Sequence, residues 1–236
     1  MNKEQLFLEL NKLGNCDQSK VDKLEDFMHA TLEANKSFNL TAIKDEEKFR
    51  ELMILDSTYP LKYYNFDGKK VIDIGTGAGY PGMVLATLSN GEFTLLDSTK
   101  KKVDFYLNFS ANNGYFNVNS VCARAEEYAR EHREEYDFAI ARAVASLPVL
   151  VEIIVPLLKV GGLFISLKGP LAKEEILAAK KALQNLDSAV EIIHEYSLPE
   201  SAEKRSIVVI KKNKITKHKY PRNYSEIIKW HNLTFC

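Results

Sequence analysis

Cysteine is scarce in this 236-residue chain: Cys16, Cys122 and Cys236 are scattered, odd in number and without a CxxC pair. That excludes a disulfide framework and a cysteine-built zinc site, and it fits a reducing compartment. Cys122 is expected buried beside a strand. Glycine (11) and proline (7) are too few for a collagen-like or low-complexity chain. A long apolar run is also missing. The most apolar stretch, 143–167, is interrupted by Glu152, Lys159 and Gly161-Gly162, short of the roughly 20 residues a membrane span needs. The opening MNKEQLFLEL has neither a basic segment leading into an apolar one nor a small-residue cleavage site. The expectation is a soluble cytoplasmic protein with no membrane partner and no metal.

Net charge is absent as well, since 32 basic residues balance 32 acidic ones. The balance is uneven along the chain. From 201 to 236 nine basic residues face two acids, Glu203 and Glu226, so the first 200 residues carry an acidic excess of seven. A basic end on an acidic protein is an electrostatic footprint for a polyanion, a solvated tail being the plainer explanation.

The length allows one large α/β domain or a domain with an appendage. Leu6, Leu10 and Leu13, then Leu24, Phe27, Met28 and Leu32, fall at helical spacing, with Asp17 and Ser19 as candidate caps. A third amphipathic stretch covers 45–55, followed by a strand-like but proline-broken segment, 59–64, and a turn at Asp67-Gly68. Strands are expected at 71–74, 93–96, 118–122, 138–141 and 163–167, separated by helices at 81–89, 100–113, 125–133 and 147–158. Such alternation implies a parallel sheet with right-handed crossovers. A helix at 171–186 and two close strands, 190–196 and 206–211, suggest a final hairpin whose last strand runs antiparallel. The domain plan is therefore a helical extension (1–65), an α/β domain with seven strands (66–212) and a basic tail (213–236).

The strongest motif is Val71-Ile72-Asp73-Ile74-Gly75-Thr76-Gly77-Ala78-Gly79-Tyr80-Pro81-Gly82. A strand feeding a glycine-rich turn that opens a helix lets a ligand approach the backbone. Gly77-x-Gly79-x-x-Gly82 satisfies the dinucleotide pattern, and Asp97 follows 20 residues after Gly77, placed to accept ribose hydroxyls. An adenosine-containing cofactor follows. Two features favour S-adenosylmethionine over NAD: Asp73 would meet an ammonium but repel a pyrophosphate, and the segment 123–127, with Glu126, suits an adenine edge. The plainer alternative makes Asp73 a turn cap and Glu126 a surface residue.

These segments, with Asn39-Leu40-Thr41, Ile54-Leu55-Asp56-Ser57, Leu95-Leu96-Asp97-Ser98, Ala141-Arg142-Ala143-Val144-Ala145, Leu167-Lys168-Gly169 and 205–210, stand in the order found in one family. Over roughly 35–225 the chain resembles the small-subunit ribosomal RNA guanine-N7 methyltransferases (RsmG, or glucose-inhibited division protein B). The resemblance implies a class I S-adenosylmethionine-dependent methyltransferase, a Rossmann-like, mostly parallel seven-stranded sheet with an antiparallel C-terminal strand. Its implied reaction is methylation of N7 of a guanine in a decoding-centre loop of 16S ribosomal RNA. It implies cofactor contacts at Gly75, Tyr80, Ala125, Glu126 and Arg142, to which the physical reading adds Asp73, Gly77, Gly79 and Asp97. Arg124, Lys168 and Arg205 match basic positions expected near RNA. Met53 stands where many relatives have histidine, and 223–236 diverges from the better-known tails.

Guanine N7 has an in-plane lone pair and no proton, so its methylation needs orientation rather than a general base. An arginine at the base, Arg142 being the candidate catalytic group, should then hold O6 or orient the cofactor, because a donor on N7 would occupy the attacking lone pair. The plainer role for Arg142 is an ion pair with Asp137 or Glu152. Tyr63, Tyr64, Tyr106 and Tyr220 are candidates to stack on bases. The competing functions are an NAD-dependent oxidoreductase, which should bring a Tyr-x-x-x-Lys or His/Asp proton donor, and a non-catalytic RNA-binding module, which should have lost the glycine loop. The expected partner is the small ribosomal subunit and the expected state a monomer.

Overall fold

The computed structural model describes residues 1–14 and 16–233, with side chains as far as Trp230; Cys236 lies outside the described residues. Helix α1 (Lys3–Asn11) opens with a reciprocal cap: Asn2 accepts from the Gln5 amide, and the Gln5 side chain accepts from the Asn2 amide. Asp17 caps α2 (Gln18–Asn35) by accepting from the Lys20 amide. Leu6, Leu10, Leu24, Phe27 and Met28 are all buried, as their spacing predicts.

The stretch expected at 45–55 is helical but irregular. After α3 (Glu46–Phe49) the chain widens into a π-helical turn, Arg50–Leu55, before α4 (Asp56–Thr58). Such turns are rare and cluster at functional sites. The strand-like segment that follows is instead a 3-10 turn, Tyr59–Lys62, because Pro60 fixes φ and lacks an amide donor.

Seven strands form one sheet: β1 (Lys70–Ile74), β2 (Glu92–Asp97), β3 (Val118–Cys122), β4 (Tyr136–Arg142), β5 (Leu158–Lys168), β6 (Ser188–Ser197) and β7 (Lys204–Lys212). Their order is β3-β2-β1-β4-β5-β7-β6, with parallel pairing from β3 to β5. The β6–β7 hairpin inserts β7 antiparallel beside β5, pairing Lys168 with Ser206. Helices α5 (Gly82–Leu88), α6 (Lys100–Asn112), α7 (Ala125–Glu131), α8 (Leu147–Ile154) and α9 (Ala172–Asn185) connect the strands, and α10 (Tyr224–Leu233) follows the hairpin. Cys122 ends the edge strand β3 and is exposed, against expectation, because no further strand covers that edge.

Strand residues alternate between two apolar layers, as a pleat with period two requires. Val71, Ile207 and Val209 join α1, α2 and α5, whereas Ile72, Val208 and Ile210 join α8, α9 and Ile227 of α10. The first 65 residues thus share a core with the sheet. Among the described residues no helix is long and apolar enough to cross a membrane, and no group of His, Cys, Asp or Glu could hold a metal.

One buried ion pair ties the N-terminal helices to the π turn. Arg50 donates through Nε and Nη2 to the two Glu25 oxygens at 2.8 and 2.7 Å, and both residues are buried. Removing one partner strands the other charge, which costs far more than the net worth of the pair. Arg50→Ala is expected to lower stability by about 3–5 kcal/mol, measured by urea unfolding, whereas loss of the exposed Lys36–Glu33 pair should change it by less than about 0.5 kcal/mol.

Candidate functional site

Strand order reverses between β1 and β4, and the loops at the carboxyl ends of β1 to β5 open a crevice there. Because β7 runs antiparallel, it is its beginning, with Arg205, that reaches the same rim beside Lys168.

Asp73, near the end of β1, is fully buried. Its Oδ2 accepts from Thr76 Oγ1 at 2.6 Å and from the Gly82 amide at 2.8 Å, so one oxygen fixes both ends of the glycine turn. Its Oδ1 is buried with no partner among the described residues. Burial pushes the carboxyl up to about 6, against the pull of the Thr76 and Gly82 donors and of the Arg142 charge. A buried carboxylate oxygen that lacks a donor is a natural acceptor for a cation. Gly82, absent from the expected site residues, is dictated by this packing, since a Cβ there would overlap Leu95 and crowd Asp73 Oδ2.

Two cavities meet at the crevice and share the wall Ala143–Ala145. The smaller, of about 340 Å³, is lined by Gly75, Asp97, Arg124, Ala125, Glu126 and Tyr224, among others. Asp97 Oδ2 accepts from the Gly77 amide at 3.0 Å and Oδ1 from the Thr99 amide at 2.8 Å, which aims the carboxylate while leaving lone pairs for a ligand. Glu126 lies in the first turn of α7 and is buried, so it is no surface residue. Arg124 pairs with it at 3.2 Å and lies at the mouth of this cavity, not on the wall that holds Lys168 and Arg205.

The larger cavity, of about 670 Å³, gathers Met53, Asp56, Arg142, Lys168, Glu175 and Arg205, with apolar groups between them. Arg142 pairs with neither Asp137 nor Glu152, which hold Lys159 and Arg222 instead. It donates to the Leu52 carbonyl at 3.2 Å, to Asp56 Oδ2 at 3.5 Å and to Met53 Sδ at 3.4 Å. The thioether at position 53 thus takes a donor from the arginine without needing to titrate. Asp56 also accepts from Tyr196 Oη at 2.7 Å and lies 3.7 Å from Arg205 Nε. Lys168 Nζ is committed to the Ala145 carbonyl at 3.1 Å and to Glu175 at 2.7 Å, so it props the shared wall.

Of the residues expected at the cofactor, Asp73, Gly77, Gly79 and Tyr80 line neither cavity. Tyr80 is buried with its ring stacked 4.9 Å from Phe27, and a Cβ on Gly79 would also meet Phe27, so both dock α2 onto the loop. Of the candidate stacking residues, Tyr106 and Tyr220 are buried and Tyr63 stacks on His194, while Tyr64 contacts Phe138; none of the four lines either cavity. The residues that sequence reasoning left unassigned are Asp56, Glu175, Tyr196, Val144 and Tyr224. Asp56 carried a signal, an acid after the apolar run Leu52–Leu55. The others depend on long-range packing.

Residues 20–208 match the family model GidB, described as rRNA small subunit methyltransferase G. Ribosomal RNA small subunit methyltransferase G of Alkaliphilus metalliredigens (strain QYMF) is 44% identical over 213 residues, covering 88% of this chain and 89% of that protein. Its counterpart in Caldicellulosiruptor bescii is 43% identical over 210 residues, covering 86% and 88%. Among solved structures, a SAM dependent methyltransferase from Aquifex aeolicus superposes with a TM-score of 0.51 at 17% identity, covering 71% of this chain and 94% of that one, a likeness of fold.

The shared wall rests on one glycine. Gly75 has φ +66°, and a Cβ there would lie 2.7 and 2.8 Å from the Val144 methyls. Gly75→Ala is therefore expected to lose about 1–2 kcal/mol to the left-handed backbone alone, and more to the collision. Adding Val144→Ala should return only the collision share, a coupling that a double-mutant cycle of urea midpoints reads directly.

Proposed function

This chain belongs to the rRNA small subunit methyltransferase G family, and from that premise we propose that it methylates N7 of a guanine in a decoding-centre loop of 16S ribosomal RNA. The observation that carries the reading is the pair of cavities meeting at Ala143–Ala145: an adenosine-sized one that presents the carboxylates of Asp97 and Glu126, and a larger one rimmed by Arg142, Lys168 and Arg205. Methyl transfer needs the two reacting atoms in direct in-line contact, and cavities that adjoin along one short segment bring their occupants to a common boundary.

The residues present fit S-adenosylmethionine. The unpartnered Asp73 Oδ1 suits its ammonium, Asp97 its ribose hydroxyls, and the Ala125–Glu126 turn its adenine edge; the Asp73 charge would repel the pyrophosphate of NAD. When bound, the cofactor supplies an electrophilic sulfonium methyl. The protein's share is placement. Arg142, oriented by Asp56, the Leu52 carbonyl and Met53, keeps unused donors for guanine O6, leaving the N7 lone pair free. Arg205 and Arg124 present charge to the RNA backbone, and the basic tail from 213 onward adds to it. No group in this cavity must take a proton, because N7 carries none. We place the enzyme in the cytoplasm as a monomer, with the helices of 1–65 and the tail flanking the catalytic unit.

Labelled methyl from S-adenosylmethionine, offered with small subunits from a strain lacking the modification, is expected on N7 of a guanine in the decoding-centre loop. Label at another position overturns the target, and no transfer by cofactor-loaded protein overturns the RNA acceptor.

Asp73 gives a pH signature. Its carboxyl is raised to about 6 in the free protein, and a ligand ammonium favours the ionised form. Affinity for S-adenosylhomocysteine should hold steady above pH 7 and fall by up to about tenfold per unit below about 6. Asp73→Asn is expected to bind weakly and without that step, as calorimetry across the range would report.

A further inference from the structure

The C-terminal segment lies beyond the residues matched by the family model, yet it reaches the smaller cavity. Its path is fixed by buried and paired groups. Arg133 donates to the Thr216 and Tyr220 carbonyls at 2.7 and 2.6 Å, and Arg130 to the Pro221 carbonyl and to Asn223 Oδ1 at 3.2 and 2.8 Å. Arg222 grips the buried Glu152 through its backbone amide, Nε and Nη2. Ile227 is fully buried in the apolar layer under α8. The first residue of α10 is thereby held at the cavity mouth, and that residue is Tyr224.

Tyr224 is 38% exposed, an aromatic ring at a cavity mouth rather than in the core. The Arg124 guanidinium covers its ring, 5.0 Å from the centroid, and is itself held by Glu126. Ala125, Leu150 and Ile153 line the same cavity and bring apolar surface to a lining otherwise rich in polar groups, Glu126 among them. That chemistry suits a purine: apolar contact for its faces and an acceptor for its exocyclic amine.

We propose that Tyr224 is a cofactor-binding residue, its ring closing the adenine end of the cavity and making the divergent C-terminal segment part of the cofactor site. The inference rests on the S-adenosylmethionine reading above. It also gives Arg124 a second duty, since the guanidinium that covers the ring holds it upright at the mouth.

The test titrates S-adenosylhomocysteine, and separately adenosine, into the full chain and its Tyr224→Ala and Tyr224→Phe variants by calorimetry. Trp230, the single tryptophan and on the same helix, gives an optical readout in parallel. Loss of one aromatic contact to a base should weaken both ligands about tenfold in Tyr224→Ala, and Tyr224→Phe should stay within about twofold of wild type. Unfolding midpoints should barely move, because Ile227 and the Arg222–Glu152 pair hold the helix. Wild-type affinity in Tyr224→Ala overturns the proposal and leaves the cofactor reading standing, as does a loss in Tyr224→Phe equal to that in Tyr224→Ala. A loss for S-adenosylhomocysteine without one for adenosine also overturns it. Failure of the wild-type chain to bind S-adenosylhomocysteine overturns the cofactor reading itself. Should Tyr224→Ala prove unstable, Tyr224→Leu decides: weakened binding at an unchanged midpoint supports the ring contact, and full affinity removes it.

Discussion

The site depends first on the Asp73 carboxylate. One of its oxygens holds Thr76 and the Gly82 amide together, so the turn between β1 and α5 closes around a charge that has no access to water. Burying a carboxylate is unfavourable unless donors compensate, and here only one oxygen is compensated within the chain. The strain is kept because everything nearby is fitted to it: Gly82 has no room for a Cβ, Gly75 yields to Val144, and Asp97 takes the Gly77 amide. In the proposed reading a cationic ligand completes the circuit, which gives binding a driving force that a neutral turn would lack.

A second buried acid organises the other side of the shared wall. Asp56 lies in the short helix that resumes after the π turn and receives Tyr196, Arg142 and the approach of Arg205. Without it two guanidiniums would face each other across a partly dehydrated cavity. With it the two share one carboxylate, Arg142 being held also by the Leu52 carbonyl and Met53, and Arg205 also by Glu203 at 2.6 Å. The sulfur of Met53 adds a soft acceptor to the same arginine, so this arrangement works without a titrating group at that position. Lys168 serves differently, since its amine is spent on the Ala145 carbonyl and Glu175, and it fixes the wall rather than meeting the phosphates.

Much of the architecture was legible because strand and helix periods are local. The β3 bounds agree with the sequence reading, and the other strands grew by a residue or more at one or both ends. The final hairpin followed from two close apolar runs. The glycine turn and Asp97 were legible for a related reason: the backbone conformation and the spacing of 20 residues are written in consecutive positions. What sequence could not convey is which side of the loop a residue faces. Tyr80 sits inside the strongest motif, yet its ring packs on Phe27, some fifty positions away. The proline-broken segment near Tyr59 had strand-like composition but folded as a 3-10 turn, and Cys122 had a buried composition but an edge position. These differences all come from tertiary neighbours, which local patterns do not encode.

The same limit explains the tail. Read as a string, 213–236 is a basic end of which 223–236 diverges from better-known tails, and its charge points toward RNA. In the fold, several of its groups face the other way: Arg222 is turned onto Glu152, backbone carbonyls are claimed by Arg130 and Arg133, and Ile227 enters the core. A segment anchored this firmly is a wall, and through Tyr224 it lines the smaller cavity. Tyr224 stands there through contacts, with Arg124 over its ring, that no pattern in the tail alone would reveal.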